Sequence, residues 1–205
     1  MVRQEQEVPT RRMTFEEFLR WCDEDTWAEW VDGEVIVLAP VSRRHQQLAN
    51  FLMRVLGTFV EARGLGVVIS APFLMKTGPE LPAREPDLLF VAQEHLGRLK
   101  ETYLDGPADL VVEITSPESG ARDRGEKFYE YETGGVGEYW LIDPDRERAE
   151  FYQMDIEKKR YRLVHPDAEG LYRSQVVAGF WLRVEWLWQD PLPPVLDVLR
   201  ELGLI

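Results

Sequence analysis

Two acidic residues, each joined to a short apolar run, constrain this chain more than any other feature. Asp87 ends Glu85-Pro86-Asp87 and leads directly into Leu88-Leu89-Phe90-Val91. Glu113 lies inside Asp109-Leu110-Val111-Val112-Glu113-Ile114-Thr115-Ser116-Pro117, 26 residues further on (113 − 87). Short β-branched runs bounded by turn residues read as buried strands. A carboxylate within such a run is costly to bury unless it is paired or binds a metal. Two on successive strands can share one cation. Alternation sets Val111, Glu113 and Thr115 on one strand face, and Val112, Ile114 and Ser116 on the other.

The surrounding chain supplies layers to cover these strands. Thr14 is placed to cap a short helix reaching Cys22, with Glu16 and Glu17 in its first turn. Asp32-Gly33 reads as a turn between the strand Glu29–Val31 and a second strand, Val35–Ala39. Ser42 opens the clearest helix. Leu48, Phe51, Leu52, Val55, Leu56, Phe59 and Val60 follow i, i+3, i+4, i+7 spacing up to Gly64 and Gly66. Strands are expected over Gly66–Met75, Asp87–Val91 and Asp109–Thr115. Ser116-Pro117 ends the last of these. A second helix is expected from about Glu118 to Thr133, then a strand at Glu138–Ile142 closed by Asp143-Pro144-Asp145. An antiparallel meander follows over Ala149–Met154, Tyr161–Val164 and Gln175–Trp188. A Pro-rich turn then leads to a helix from Val195. With no repeat or linker, the expectation is an α/β chain: a flexible 1–12, one domain over 13–190 and a C-terminal helix in 191–205.

Composition narrows the function. The 205 residues carry 37 acids against 24 bases, a net charge of −13, which disfavours a nonspecific nucleic-acid binder. Basic clusters exist at Arg43-Arg44-His45, around Arg122, Arg124 and Lys127, and at Lys158–Arg162. Each alone reads as a solvated face. Cys22 is the only cysteine, so internal disulfides and cysteine metal clusters are excluded. No apolar run reaches the roughly 20 residues of a membrane helix, and 1–12 lacks a secretory pattern. The expectation is cytoplasmic. There is no Gly-rich phosphate loop, no Gly-x-Ser-x-Gly elbow, and no zinc-ligand spacing among His45, His95 and His165.

Asp123, Lys127 and Tyr131 recur every fourth residue and form one helical stripe, from which an ammonium can reach the preceding strand. Taken singly, Asp87 reads as a turn residue, Glu113 as half of a buried ion pair, and Lys127 as a surface salt bridge. His45, one turn before Leu48, reads as a satisfied, partly buried histidine or as a residue near a phosphate. Trp140, Trp181, Trp186 and Trp188 read as core packing. The combination of acids and lysine, in this order and spacing, reads as a site.

The chained set resembles the restriction-endonuclease-like superfamily of metal-dependent phosphodiesterases, whose signature is Pro-Asp, a gap, then Asp/Glu-x-Lys. It is more closely similar to the Uma-two family, uncharacterised bacterial proteins described as restriction endonucleases. The matching residues are Met13-Thr14 with Glu17-Phe18, Asp32-Gly33-Glu34, His45, Pro86-Asp87, Gly106-Pro107, Asp109–Glu113 and Ser116-Pro117. They continue through Asp123, Lys127, Tyr131, Gly135-Val136, Glu138-Tyr139-Trp140 and Asp143-Pro144, so the likeness spans about 13–190.

This resemblance implies a mixed β-sheet flanked by helices with a C-terminal antiparallel extension. It implies Mg²⁺ or Mn²⁺ held by Asp87, Glu113 and the Ile114 carbonyl, and hydrolysis of DNA phosphodiesters by a metal-activated water. Glu29 or Glu34 would serve as the extra N-terminal acid such folds use, and His45, Thr115, Asp123 and Tyr131 would be accessory. A homodimer would supply two sites for two strands. One departure stands out: Thr115 occupies the position of the superfamily lysine, and the family pattern moves the basic role to Lys127. An alternative from another class is a non-catalytic member acting as a nucleic-acid- or protein-binding module.

Overall fold

The computed structural model describes residues 9, 11–23, 26–116 and 119–205. Most of the stretch expected to be flexible, residues 1–8 and 10, lies outside these. So do Pro117, read as a strand terminator, and Glu118, read as the start of a helix.

Helix α1 (Phe15–Trp21) begins with a capping box: Thr14 Oγ1 accepts from the Glu17 amide, and Glu17 returns a bond to the Thr14 amide. Strands β1 (Ala28–Val31) and β2 (Glu34–Val37) flank the Asp32-Gly33 turn. Helix α2 (Arg43–Arg63) is capped by the Ser42 hydroxyl and ends at Gly64, whose φ of 63° is the left-handed closure expected there. Strands β3 (Gly66–Ser70), β4 (Leu74–Lys76), β5 (Ala83–Arg84) and β6 (Leu88–Ala92) follow, then a 3₁₀ turn at Gln93–Arg98, β7 (Tyr103–Asp105) and β8 (Leu110–Ile114).

The second helix is composite. A single turn, α3 (Gly120–Arg122), passes into a π-helical segment, Asp123–Lys127, and then α4 (Phe128–Gly134). Strands β9 (Glu138–Asp143), β10 (Arg148–Asp155), β11 (Arg160–Val164), β12 (Leu171–Arg173) and β13 (Trp181–Arg183) come next. A 3₁₀ turn at Val184–Trp188 and α5 (Val195–Glu201) complete the chain. Among the described residues no helix is long and apolar enough to cross a membrane.

The main sheet has the order β11-β10-β9-β8-β6-β3. Only β8 and β9 run parallel in it, so the chain must cross back between them, and the composite helix is that crossover. A second sheet, β2-β1-β5-β4-β7, carries α1, while β12 and β13 pair separately. The expected run Gly66–Met75 therefore divides between two sheets. Gln175–Trp188 is not a third meander strand: only Trp181–Arg183 is extended, and it pairs with β12.

Strand alternation distributes the core as expected. Leu88, Phe90, Leu110, Val112, Ile114, Trp140 and Ile142 face α2 and the C-terminal residues Tyr172, Phe180, Trp186 and Val198. Leu89, Val91, Val111, Tyr139 and Leu141 form the opposite face with Met75 and Tyr131. Each such side chain contributes roughly 1.5–3 kcal/mol on burial. Trp181 and Trp188 pack partly buried against the first of these cores, so all four of these tryptophans serve packing.

Candidate active site

Register brings the two acids together. Leu88 of β6 lies opposite Val112 of β8, and Asp87 and Glu113 are the next residues outward on each chain. Asp87 is held at both oxygens. Its Oδ2 accepts the Ile114 amide at 2.6 Å, and its Oδ1 lies 2.9 Å from His45 Nε2 on the first turn of α2. His45 is thus a neighbour of the site rather than a fully satisfied core histidine, since its buried Nδ1 has no partner.

Glu113 is anchored from the crossover helix. Lys127 Nζ donates to its Oε1 at 2.8 Å, and the Tyr131 hydroxyl donates to the same oxygen at 2.7 Å. Lys127 is only 5% exposed, which corrects the reading of it as a surface salt bridge. The ammonium also lies 3.3 Å from Glu29 Oε1 and 3.6 Å from Asp123 Oδ1. The stripe Asp123, Lys127, Tyr131 therefore faces the site as the spacing predicts.

Sheet two adds the rest. Glu29 of β1 is fully buried and accepts from Arg84 of β5 at 2.9 Å and from the Glu85 amide at 3.2 Å. Arg84 reaches Glu130 with a second, bidentate contact at 2.6 and 2.7 Å. Of the two candidate N-terminal acids, Glu29 is in the cluster and Glu34 is not: the Glu34 side chain is 67% exposed and pairs with Arg12. Asp87, Glu113, Thr115, Asp123 and Lys127 line one open cavity of about 720 Å³, with Glu85 at its wall.

Acids outnumber bases here, and the protonation equilibria register it. Burial, reinforced by the Asp123 and Asp87 charges and opposed by Lys127, pushes the Glu113 carboxyl up to about 8. Burial also raises Glu85 to about 7, against a hydrogen bond from the Trp27 indole. Burial acts to lower Lys127, but Glu113, Glu29 and Asp123 outweigh it and keep the ammonium charged. Glu29 is pushed up by burial and pulled further down by Lys127 and Arg84, ending below the usual carboxylate range. One oxygen, Asp123 Oδ1, is buried without a hydrogen-bond partner.

Sequence reasoning passed over Arg84, Glu85 and Arg122 as site residues. Arg84 and Glu85 adjoin Pro86-Asp87, and two charges abutting an apolar strand were the available signal. Arg122 carried none beyond its place in a basic cluster.

Fold and site together define a mixed α/β protein with a buried carboxylate–lysine cluster where two inner strands of its main sheet, β6 and β8, meet the crossover helix. A family model, Uma2, described as "Putative restriction endonuclease", matches residues 15–185, and the chain belongs to this family. An uncharacterised protein of Synechocystis, sll1609, is 28% identical over 146 residues, covering 70% of this chain and 82% of that one. A crystal structure from Anabaena variabilis, described as "a putative nuclease belonging to DUF820", superposes with a TM-score of 0.69. It covers 86% of this chain and 97% of that one at 16% identity, a likeness of fold.

Proposed function

We propose that the protein hydrolyses phosphodiester bonds in DNA, using a divalent cation held by Asp87 and Glu113. The observation that carries this reading is the meeting of these two carboxylates in one open cavity, with Lys127 bonded to one of them. Mg²⁺ and Mn²⁺ suit such a donor set, because Mg²⁺ is usually held by one or two carboxylates, with water and phosphate completing its shell. Among the described residues no three His, Cys, Asp or Glu side chains are grouped as a full cage, so the fit is to a two-carboxylate site. The orphaned Asp123 oxygen and the raised Glu113 carboxyl mark an acidic excess that a divalent charge would offset. The Ile114 carbonyl is a third candidate ligand in this reading.

When bound, the ion supplies Lewis-acid activation of water and neutralises charge on phosphate oxygens. The chain's own residues hold the geometry. His45 and the Ile114 amide fix Asp87, while Lys127 and Tyr131 fix Glu113 through Oε1. Burial favours the protonated Glu113 carboxyl, and a divalent ion held there would favour its ionised form instead. Cutting both strands of a duplex needs two such sites, so the reading carries a homodimer.

A second reading, a non-catalytic binding member, draws on the commitment of Lys127 to three carboxylates and on the uncharged Thr115. Calorimetric Mn²⁺ titration combined with cleavage of plasmid DNA in Mg²⁺ separates the two. The proposal expects binding and cleavage in the parent, and neither in Asp87→Ala or Glu113→Ala. Mn²⁺ binding unchanged by both substitutions would refute it, and metal binding without cleavage of any nucleic acid would favour the second reading.

A further inference from the structure

Lys127 is surrounded by acids, and so are its basic neighbours. Lys127 lies within 4 Å of Glu113, Glu29 and Asp123; Arg84 of Glu29, Glu126 and Glu130; Arg124 of Asp143 and Glu150. Their charges are spent on the protein itself. Arg122 differs. It lines the same cavity as Asp87 and Glu113, yet among the described residues it makes no ion pair, and its Nε is buried with no hydrogen-bond partner. A guanidinium that no described residue pairs, in a cavity walled by carboxylates on a chain of net charge −13, has a buried Nε donor that the described residues leave open.

We infer that Arg122 is the phosphate-binding residue of this cavity, its guanidinium gripping a phosphate of the nucleic-acid strand beside Asp87 and Glu113. The inference rests on the nuclease reading for its choice of strand. The chemistry favours phosphate for three reasons. Guanidinium presents a planar fork that matches two phosphate oxygens, and charge-assisted pairs of this kind are among the strongest available. An anionic strand entering an acidic cavity needs a local cation that is not already neutralised. The cavity, at about 720 Å³, is within the usual size of a small-ligand pocket, roughly 300–1,000 Å³.

The test uses a fluorescein-labelled DNA duplex, titrated without divalent ion across a KCl series and followed by anisotropy. Arg122→Ala is expected to bind about tenfold more weakly, with the salt slope smaller by about one. Arg122→Lys should recover the slope but only part of the affinity, because the fork is lost. Mn²⁺ affinity and the melting temperature should stay at parental values in both variants, a result that a structural role for Arg122 would not give. Calorimetry with inorganic pyrophosphate runs in parallel. If the parent binds pyrophosphate through Arg122 but no DNA, the nuclease reading fails and the phosphate site stands. If Arg122→Ala matches the parent with both probes, or the parent binds neither, the inference is overturned.

Discussion

Two buried glutamates on neighbouring strands of one sheet meet opposite fates. Glu138, on β9, is fully buried and wrapped in neutral donors: the Trp140 indole at 2.6 Å, the Tyr172 hydroxyl at 2.5 Å, Ser174 Oγ at 3.0 Å, and the amides of Gln175 at 2.8 Å and Val176 at 3.2 Å. Both of its oxygens are used. Glu113, on β8, receives its two bonds on Oε1 alone and lies among other carboxylates at the wall of an open cavity. The contrast separates two uses of a buried charge. Glu138 ties the segment Tyr172–Val176 to the sheet, which is a fastening. Glu113 is left with unmet capacity, and unmet capacity is what a ligand or a proton can use.

Substitution should expose the difference most sharply at Glu138. Glu138→Ala orphans five donors, and at roughly 1 kcal/mol each or slightly less we expect a loss of about 4 kcal/mol in urea unfolding. Glu138→Gln, which keeps the shape and one acceptor, should lose less. A change below about 1 kcal/mol in Glu138→Ala would erase the distinction. Metal should move the other glutamate. With Mn²⁺ at 100 times its dissociation constant the parent gains about 2.7 kcal/mol by mass action. Glu138→Gln should gain the same and Glu113→Gln none, as read by thermal shift. A full gain in Glu113→Gln would remove Glu113 from the metal site.

Acidity gives a third comparison. The Glu113 carboxyl is raised from 4.5 to about 8 in the folded protein, so between those values the folded state holds a proton that the unfolded chain has lost. Stability from this group is complete below 4.5 and is lost as pH rises through about 8. Glu85, raised to about 7, acts in the same direction over a narrower span. Metal-free parent should therefore weaken by on the order of 2 kcal/mol from pH 5 to pH 8, and Glu113→Gln should flatten part of that fall. Stability that rises over this window would mean Glu113 is ionised throughout. The smallest effect is expected from Tyr131→Phe. Loss of one of the two bonds to Oε1 should cost about 1 kcal/mol in unfolding and leave Mn²⁺ binding measurable.

Much of this architecture was legible before any coordinates. The apolar spacing of α2, the caps at Thr14 and Ser42, and the acid-bearing strands β6 and β8 follow from period and turn chemistry alone. The elements that escaped were β5 and β7, at two or three residues too short to show a period, the break that sends β4 to a second sheet, and the pairing of β12 with β13. At the site, Asp87, Glu113, Asp123, Lys127 and Tyr131 were readable because strand and helix periods each point them one way. The choice between Glu29 and Glu34 was not. It depends on β1 pairing with β5, a long-range contact (Trp30 opposite Ala83) that no local pattern encodes. Arg84 and the closeness of His45 to Asp87 escaped for the same reason, since each bridges segments dozens of residues apart.

The π-helical segment Asp123–Lys127 has a consequence for phase. A π turn closes from residue i to i+5, so it stacks side chains five apart that an α-helix would turn to different sides. Arg122 and Lys127 are five apart, and both face the cavity. The segment behaves as one residue added to an α-helix and absorbed within a single wide turn, so that the turns on either side keep a common face. Deleting Gly125, at its centre, would restore an ordinary α-helical pitch while leaving Lys127 and Tyr131 one turn apart. Arg122 and Lys127 would then be four residues apart, the stacking interval of an α-helix, so Arg122 would keep its place over Lys127. In this fold a turn of unequal length lets the chain carry one more residue without turning either cation from the cavity.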